Sequence, residues 1–442
     1  MDYSDKRKLY EIRAYDPNGS RVIYSETTES PSLGIVGFSE KDGSLVAVHN
    51  QDSDYLQMFE MSLSNGAITG PLRKREDAEL DGFIRDENQV VIGVSYSGLY
   101  QRYELFDEVL NRDIKAAISA LPDASVSIAS WSNDWQKILL YAEGGKEPAR
   151  YMLFDRQAKK LSQVARDRPD IKPEEVGEVV TIEYKARDGL TISALITWPT
   201  NVAVDQRKNL PMVVMPHGGP ESYDDVGFDW LAQYIANEGY VVLQPNFRGS
   251  GGFGAAFAAA GHREWGRKMQ DDVTDGAKAM ATMGWADPAR TCIVGWSYGG
   301  YSALIGGALT PEQYKCVVSV AGVSDLKSML GYEKRRRGAD SRAYAYWSNI
   351  IGDPETEGAA IDAVSPHRLA SRYKAPVLLI HGSDDLVVPD RQSEIMESAL
   401  KAAGKPVTYM RIGKDDHGLV APESRNKLLT ALGGFLKQHI GQ

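Results

Sequence analysis

The chain has 442 residues, 43% hydrophobic and 25% charged, which is the composition of a globular protein of two or three domains. Fifty basic against sixty acidic residues leave a net charge of −10, which excludes nucleic acid and anionic membrane surfaces as principal partners. No apolar run approaches the roughly 20 residues needed to span a bilayer, and the opening MDYSDKRKLYEIRAYD carries no apolar leader segment.

Residues 1–165 read as β structure. Short aromatic and β-branched runs are separated by turns such as DPNG, KDGS and LSNG. Three segments repeat: FSEKDGSLVAV from Phe38, FIRDENQVVIGV from Phe83 and WSNDWQKILLY from Trp131. Each has a turn and then an apolar run, at Leu45, Val90 and Ile138. A second strand then ends in Phe59, Phe106 or Phe154. The starts lie 45 and 48 residues apart, which fits one four-stranded propeller blade per repeat. This length gives about three to four blades, fewer than a closed ring. The expectation is a partial β-propeller, completed by further chain, by a second chain or by a second copy. The compartment stays open: cytoplasmic as the chain stands, periplasmic or secreted if a leader precedes it.

Residues 166–178 are polar and proline-bearing and read as a linker. From 179 to 442 the pattern changes. Continuous apolar runs such as LPMVVM, GYVVLQP, TCIVGW, KCVVSVAG and APVLLIHG alternate with amphipathic segments, as in a mostly parallel sheet covered on both faces. After Asp390, a candidate N-cap, Ile395, Met396, Ala399, Leu400 and Ala403 line one helical face, and Gly404 ends the helix. The two cysteines, Cys292 and Cys316, lie in strand-like runs and read as buried thiols, without a disulfide framework or zinc site.

GWSYGG, residues 295–300, follows the strand TCIVGW and precedes GGYSALIGGAL, a small apolar helix. This is the strand–elbow–helix of an α/β-hydrolase, which presents a serine at the end of the sheet. Ser297 is the candidate nucleophile. The chain order in this fold is serine, acid, histidine. His417, in DDHG after the strand VTYMRI, is the candidate base, and His439 lies in the apolar C-terminal run and reads as a packing or surface residue. Asp384 and Asp385 both follow LLIHGS and compete as the acid, while Asp415 and Asp416 read as solvated or loop-capping. Oxyanion donors are expected from the backbone N–H of Tyr298 and from Gly219 in VVMPHGGP, with His217 shaping that loop. No metal-ligand cluster or phosphate loop is present, so no cofactor or metal is expected. NFRGSGGFG reads as a tight turn after a strand.

Together HGGP (217–220), NFRGSGGFG (246–254), EWGRKMQDDVTDG (264–276), GWSYGGY (295–301), GDPETE (352–357), SPHRLA (365–370), PVLLIHGSDDLVVP (376–389) and DDHG (415–418) resemble the catalytic domain of the prolyl oligopeptidase family of serine peptidases. The resemblance runs from about residue 175 to the end and implies an α/β-hydrolase behind a β-propeller. It implies the triad Ser297, Asp385 and His417, because the family's acid stands three residues after the glycine of its HG motif. It also implies a primary pocket lined by Tyr298, Val323, Leu326, Met329 and Val388, suited to a small or medium apolar residue such as Pro or Ala, though Leu326 and Met329 also fit a core. GWSYGGY is similar to the dipeptidyl-peptidase IV branch and HGGP to the acylaminoacyl-peptidase branch. The paired glutamates with which dipeptidyl peptidases hold a free amine have no evident counterpart in residues 1–165. The basic run EKRRRGADSR (333–342) reads as a solvated loop or as a contact for a substrate carboxylate. The expected function is peptidase action on short peptides. A carboxylesterase on the same triad and a propeller-based binding module with an idle triad are the alternatives.

Overall fold

The computed structural model describes every residue except 5, 18, 29, 30, 32, 51, 52, 74, 76, 123 and 442. Two compact units emerge. The first comprises residues 1–142, 150–165 and 252–256, and the second comprises 143–149, 166–251 and 257–442.

Among the described residues, the stretch from Asp2 to Arg166 forms four sheets, the first three antiparallel. Strands β1 (Asp2–Ser4), β2 (Leu9–Asp16) and β3 (Gly19–Thr27) form the first. The second has β4 (Gly34–Phe38), β5 (Ser44–His49), β6 (Gln57–Ser62) and β7 (Ile68–Arg73). The third has β8 (Leu80–Arg85), β9 (Val91–Tyr96) and β10 (Arg102–Leu105). The fourth has β11 (Ser125–Trp131), β12 (Lys137–Gly144), β13 (Glu147–Asp155) and β14 (Lys160–Arg166). Each neighbouring pair shares an apolar cluster: Ile12 with Met61, Val48 with Val94, Ile84 with Ile138. Packing face to face in sequence, they are blades of a β-propeller.

One element departs from the all-β reading. Helix α1 (Glu108–Ser119) follows the third sheet, which has three strands rather than four. Asp107 caps it by accepting a hydrogen bond from the Leu110 N–H at 2.6 Å. Leu110, Ile114 and Ala117 recur at helical spacing and are buried with Trp135 and Phe154.

The second unit is an α/β-hydrolase. Strands β15 (Val179–Lys185), β16 (Thr191–Thr197), β17 (Leu210–Val214), β18 (Val241–Asn246), β19 (Ala286–Trp296), β20 (Cys316–Val320), β21 (Val377–Gly382) and β22 (Val407–Ile412) form one sheet in the order β15-β16-β18-β17-β19-β20-β21-β22. β16 pairs antiparallel with β15 and β18, and every later pairing is parallel. The intervening helices are α2 (Trp230–Asn237), α3 (Ala255–Ala259), α4 (Lys268–Thr282), α5 (Tyr298–Leu309), α6 (Leu326–Arg337), α7 (Arg342–Ile351), α8 (Gly358–Asp362), α9 (Arg391–Ala402) and α10 (Pro422–Ile440). The central strands β17, β18, β20 and β21 are mostly apolar and buried along their length because both faces are covered. Met212, Ile293 and Val317 point to the layer of α4, α5 and α9, and Val213, Val294 and Val318 to that of α2 and α10.

Two local readings are corrected. Cys292 and Cys316 are not free thiols: they stand opposite each other on β19 and β20, their Cα atoms 4.7 Å apart, and are joined by a disulfide. Asp390 precedes α9, but its side chain makes no capping bond and instead accepts from Arg411 Nε at 2.6 Å. Met396 and Leu400 of α9 are buried as expected, and Gly404 has φ +65°.

The loop after β18 is anchored by Arg248. Its backbone N–H, Nε and Nη2 donate to Asp272 at 2.7–2.9 Å, and Nη1 and Nη2 donate to Asp188. Burial pushes the Asp272 carboxyl up, and the Arg248 bonds oppose that shift. Asp188 is drawn down to about 2, chiefly by its bonds from Arg248. Replacing Arg248 with Met leaves Asp272, whose side chain is fully buried, without its cation. The expected loss is about 3–5 kcal/mol in the urea unfolding of the hydrolase unit, with part recovered in the Arg248→Met/Asp272→Leu double variant. An unchanged midpoint contradicts the anchoring role.

Candidate active site

Ser297 sits between the end of β19 and the start of α5 with φ +58° and ψ −120°, a backbone state that costs a side-chain-bearing residue about 1–3 kcal/mol. Crowding holds it there. A Cβ on Gly295 would lie 2.0 Å from the Gly299 carbonyl oxygen, and one on Gly299 would lie 2.1 Å from that of Pro216. Only glycine permits the strand, the helix and the HGG loop to meet so closely. Ser297 N–H donates to Val320 O at 2.9 Å, which ties the elbow to β20.

The HGG loop lies against the same point. A Cβ on Gly218 would be 3.5 Å from the Ser297 Cβ. Gly219, the expected second oxyanion donor, has φ +117° and lines the cavity beside Ser297. His217 is buried, stacked on Phe247 at 4.3 Å, and bonded to Gly218 O and Ser250 Oγ. Burial pushes its imidazole down to about 4, so it is neutral near pH 7. It shapes the loop, as the sequence indicated.

Asp385, at the end of the β21 loop, is buried, whereas Asp384 is exposed. Oδ2 of Asp385 accepts from His417 Nδ1 at 2.6 Å, and Oδ1 accepts from the Val387 and Val388 N–H groups. A second imidazole, that of His381, reaches the same oxygen. His381 Nε2 lies 2.8 Å from Val388 O and 3.2 Å from Asp385 Oδ2, and Nδ1 lies 2.7 Å from Ser393 Oγ. The two Nε2 partners are pure acceptors, so Nε2 carries the proton. Burial raises the Asp385 carboxyl, but the bonds from His381 and His417 outweigh it and hold the group far below the usual carboxylate range. His381 escaped sequence reasoning, although it is the histidine of the HG motif that served to count to Asp385.

His417 is tied to the elbow, because Trp296 Nε1–H donates to its carbonyl at 2.9 Å. The Ser297 hydroxyl makes no hydrogen bond among the described residues, which is common in unliganded hydrolases. His439 meets the Phe435 ring edge to face along α10. Asp415 is buried rather than solvated, its carboxyl held down chiefly by a bond from Ser424.

A cavity of about 240 Å³ adjoins Ser297 and Gly219. Tyr298, Val323, Met329 and Val388 line it as expected. Leu326 does not: at the first turn of α6 it faces the core and is fully buried. Leu330 takes that role one turn on, and Trp265, Trp347 and Ile351 complete the walls. The basic run is not a loop through Arg337: residues 333–337 close α6, and Glu333, Arg336 and Arg337 line one end of the cavity. Among the described residues no cluster of three or more His, Cys, Asp or Glu could hold a metal, and no helix is long and apolar enough to cross a membrane.

Residues 226–442, which include Ser297, Asp385 and His417, match the model of the prolyl oligopeptidase family. Through this region the chain belongs to the prolyl oligopeptidase family. It is 29% identical over 400 residues to dipeptidyl aminopeptidase BIII of Pseudoxanthomonas mexicana, covering 87% of this chain and 56% of that protein. It is 30% identical over 374 residues to dipeptidyl peptidase family member 6 of Caenorhabditis elegans, covering 78% and 49%. The chain therefore spans about half the length of these curated relatives. A puromycin-hydrolyzing peptidase of Mycobacterium tuberculosis shares the fold, with a TM-score of 0.79 and 22% identity over 98% of this chain and 66% of that one.

Because Asp385 is more acidic in the folded chain than in the unfolded one, the folded state binds fewer protons in the acid range. Its stabilising contribution is present above the ordinary carboxylate value of about 4 and is lost as pH falls below it. Asp385→Asn should therefore flatten the acid-side decline of the urea midpoint. A variant whose midpoint falls as steeply as wild type contradicts the assignment.

Proposed function

We propose that this protein is a serine peptidase that hydrolyses short peptides through an acyl-enzyme. The observation that carries the reading is the 2.6 Å bond between Asp385 and His417 beside a serine on a strained elbow. Asp385 can only accept, so His417 holds its proton on Nδ1 and keeps the Nε2 lone pair free. His417 takes the Ser297 proton as Oγ attacks the peptide carbonyl. The oxyanion receives hydrogen bonds from the Tyr298 and Gly219 N–H groups. The imidazolium, stabilised by Asp385, then gives its proton to the leaving amine. Water repeats the sequence, with His417 as base, and releases the acid and free Ser297.

The apolar walls of the cavity favour an apolar side chain or stem next to the scissile carbonyl, Pro and Ala among them. The relatives named as dipeptidyl peptidases support action on short peptides. The test is hydrolysis of p-nitroanilides with free and with blocked N-termini. Cleavage should fall about 10⁶-fold in Ser297→Ala and about 10⁴-fold or more in Asp385→Asn. A preference for free amines assigns dipeptidyl-peptidase action, and a preference for acylated ones assigns acylaminoacyl- or endopeptidase action. Cleavage that survives in Ser297→Ala, or none of any anilide, defeats the proposal.

A further inference from the structure

The cavity beside Ser297 is not apolar throughout. Glu333 of α6 lines it with a side chain only 7% exposed. A ligand that fills the cavity strips the remaining water from this carboxylate and must replace it with donors. Two other buried carboxylates of this unit have them: Asp385 accepts from two backbone N–H groups and two imidazoles, and Asp272 from the backbone, Nε and Nη2 of Arg248. Glu333 makes no hydrogen bond among the described residues. Its ionic partner is Nε of Arg337, at 3.6 Å, on a side chain that is 52% exposed. Arg336, at the same end, is already engaged, donating from Nη1 to the Leu386 carbonyl at 2.5 Å.

Resting on the peptidase reading above, we infer that Glu333 determines specificity at this cavity, which prefers a side chain with a long aliphatic stem ending in a cation, Lys or Arg, over an apolar stem of equal length. The stem lies along Met329, Leu330 and Val388, and the cation meets the rings of Trp265 and Trp347. The ammonium or guanidinium supplies the donors Glu333 lacks, in a charge-assisted bond shielded from water. Arg337 is the group displaced. It gives up a long, loose pair and its half-exposed guanidinium turns to solvent, where such pairs contribute little. A neutral stem of the same length would displace that water and supply no donor.

The test uses the full chain and three p-nitroanilides that differ only in the residue before the scissile bond: lysine, norleucine and glutamate, each with free and acylated N-terminus. The inference predicts kcat/KM for lysine above norleucine by about tenfold or more. Glu333→Gln should abolish that ratio, and Arg337→Ala should raise it. Norleucine equal to or better than lysine in the wild type overturns the inference and leaves the peptidase reading standing. So does a preference for glutamate, which would make Arg336 and Arg337 the anchor. A lysine-to-norleucine ratio unchanged in Glu333→Gln also overturns it. Should that variant fail to fold, the wild-type ratio and Arg337→Ala decide. No Ser297-dependent cleavage of any anilide overturns both readings.

Discussion

The carboxylate of Asp385 is the point on which the site depends. It is fully buried, yet every lone-pair direction it presents meets a donor. Two of those donors are the N–H groups of Val387 and Val388, so the same carboxylate that orients His417 also folds the loop forming one wall of the cavity. His381 links both tasks, reaching Asp385 Oδ2 and Val388 O from one nitrogen. Burial alone would favour the protonated acid, but four donors reverse that, and the group stays an anion that can hold a neutral imidazole in one tautomer. The placement of His417 and the shape of one cavity wall are therefore consequences of one satisfied charge.

The elbow depends on a different constraint, steric rather than electrostatic. β19, α5 and the HGG loop converge so tightly that side chains at 295 and 299 would collide with backbone carbonyls. That convergence forces Ser297 to positive φ and brings the Gly218–Gly219 segment against it. The strain is sustained by the surrounding sheet, where β17, β18, β20 and residues 291–295 of β19 are buried and leave no room to relax. The disulfide between β19 and β20 ties together the two strands that flank the elbow.

Much of this was legible in the sequence because chemistry limits the arrangements that work. Nucleophile, acid and base must follow in that order at strand ends, and buried parallel strands must read as unbroken apolar runs. What escaped has physical causes. Helix α1 interrupts a turn-and-strand repeat, and the repeat dominated the reading although Leu110, Ile114 and Ala117 carry a helical period. The cysteine pair is created by the α5 crossover, which aligns residues 24 apart on neighbouring strands. Along α6, Met329, Glu333, Arg336 and Arg337 share one face at helical spacing, but reading 333–342 as a loop removed that period from view, and Leu326 was credited with the position that Leu330 fills. His381 was visible as part of a motif, but its partners lie on the loop beyond it and on α9, which the linear sequence does not bring together.

The proposed catalysis stands or falls on whether His417, held by Asp385, activates Ser297. The most direct measurement is labelling of the intact chain with a fluorophosphonate, followed by mass mapping of the modified peptide in the wild type and in His417→Asn. One adduct per chain is expected, on the peptide that contains Ser297, formed by the wild type and lost in the variant. An adduct on another residue, or labelling of Ser297 at the same rate without the imidazole, would contradict it.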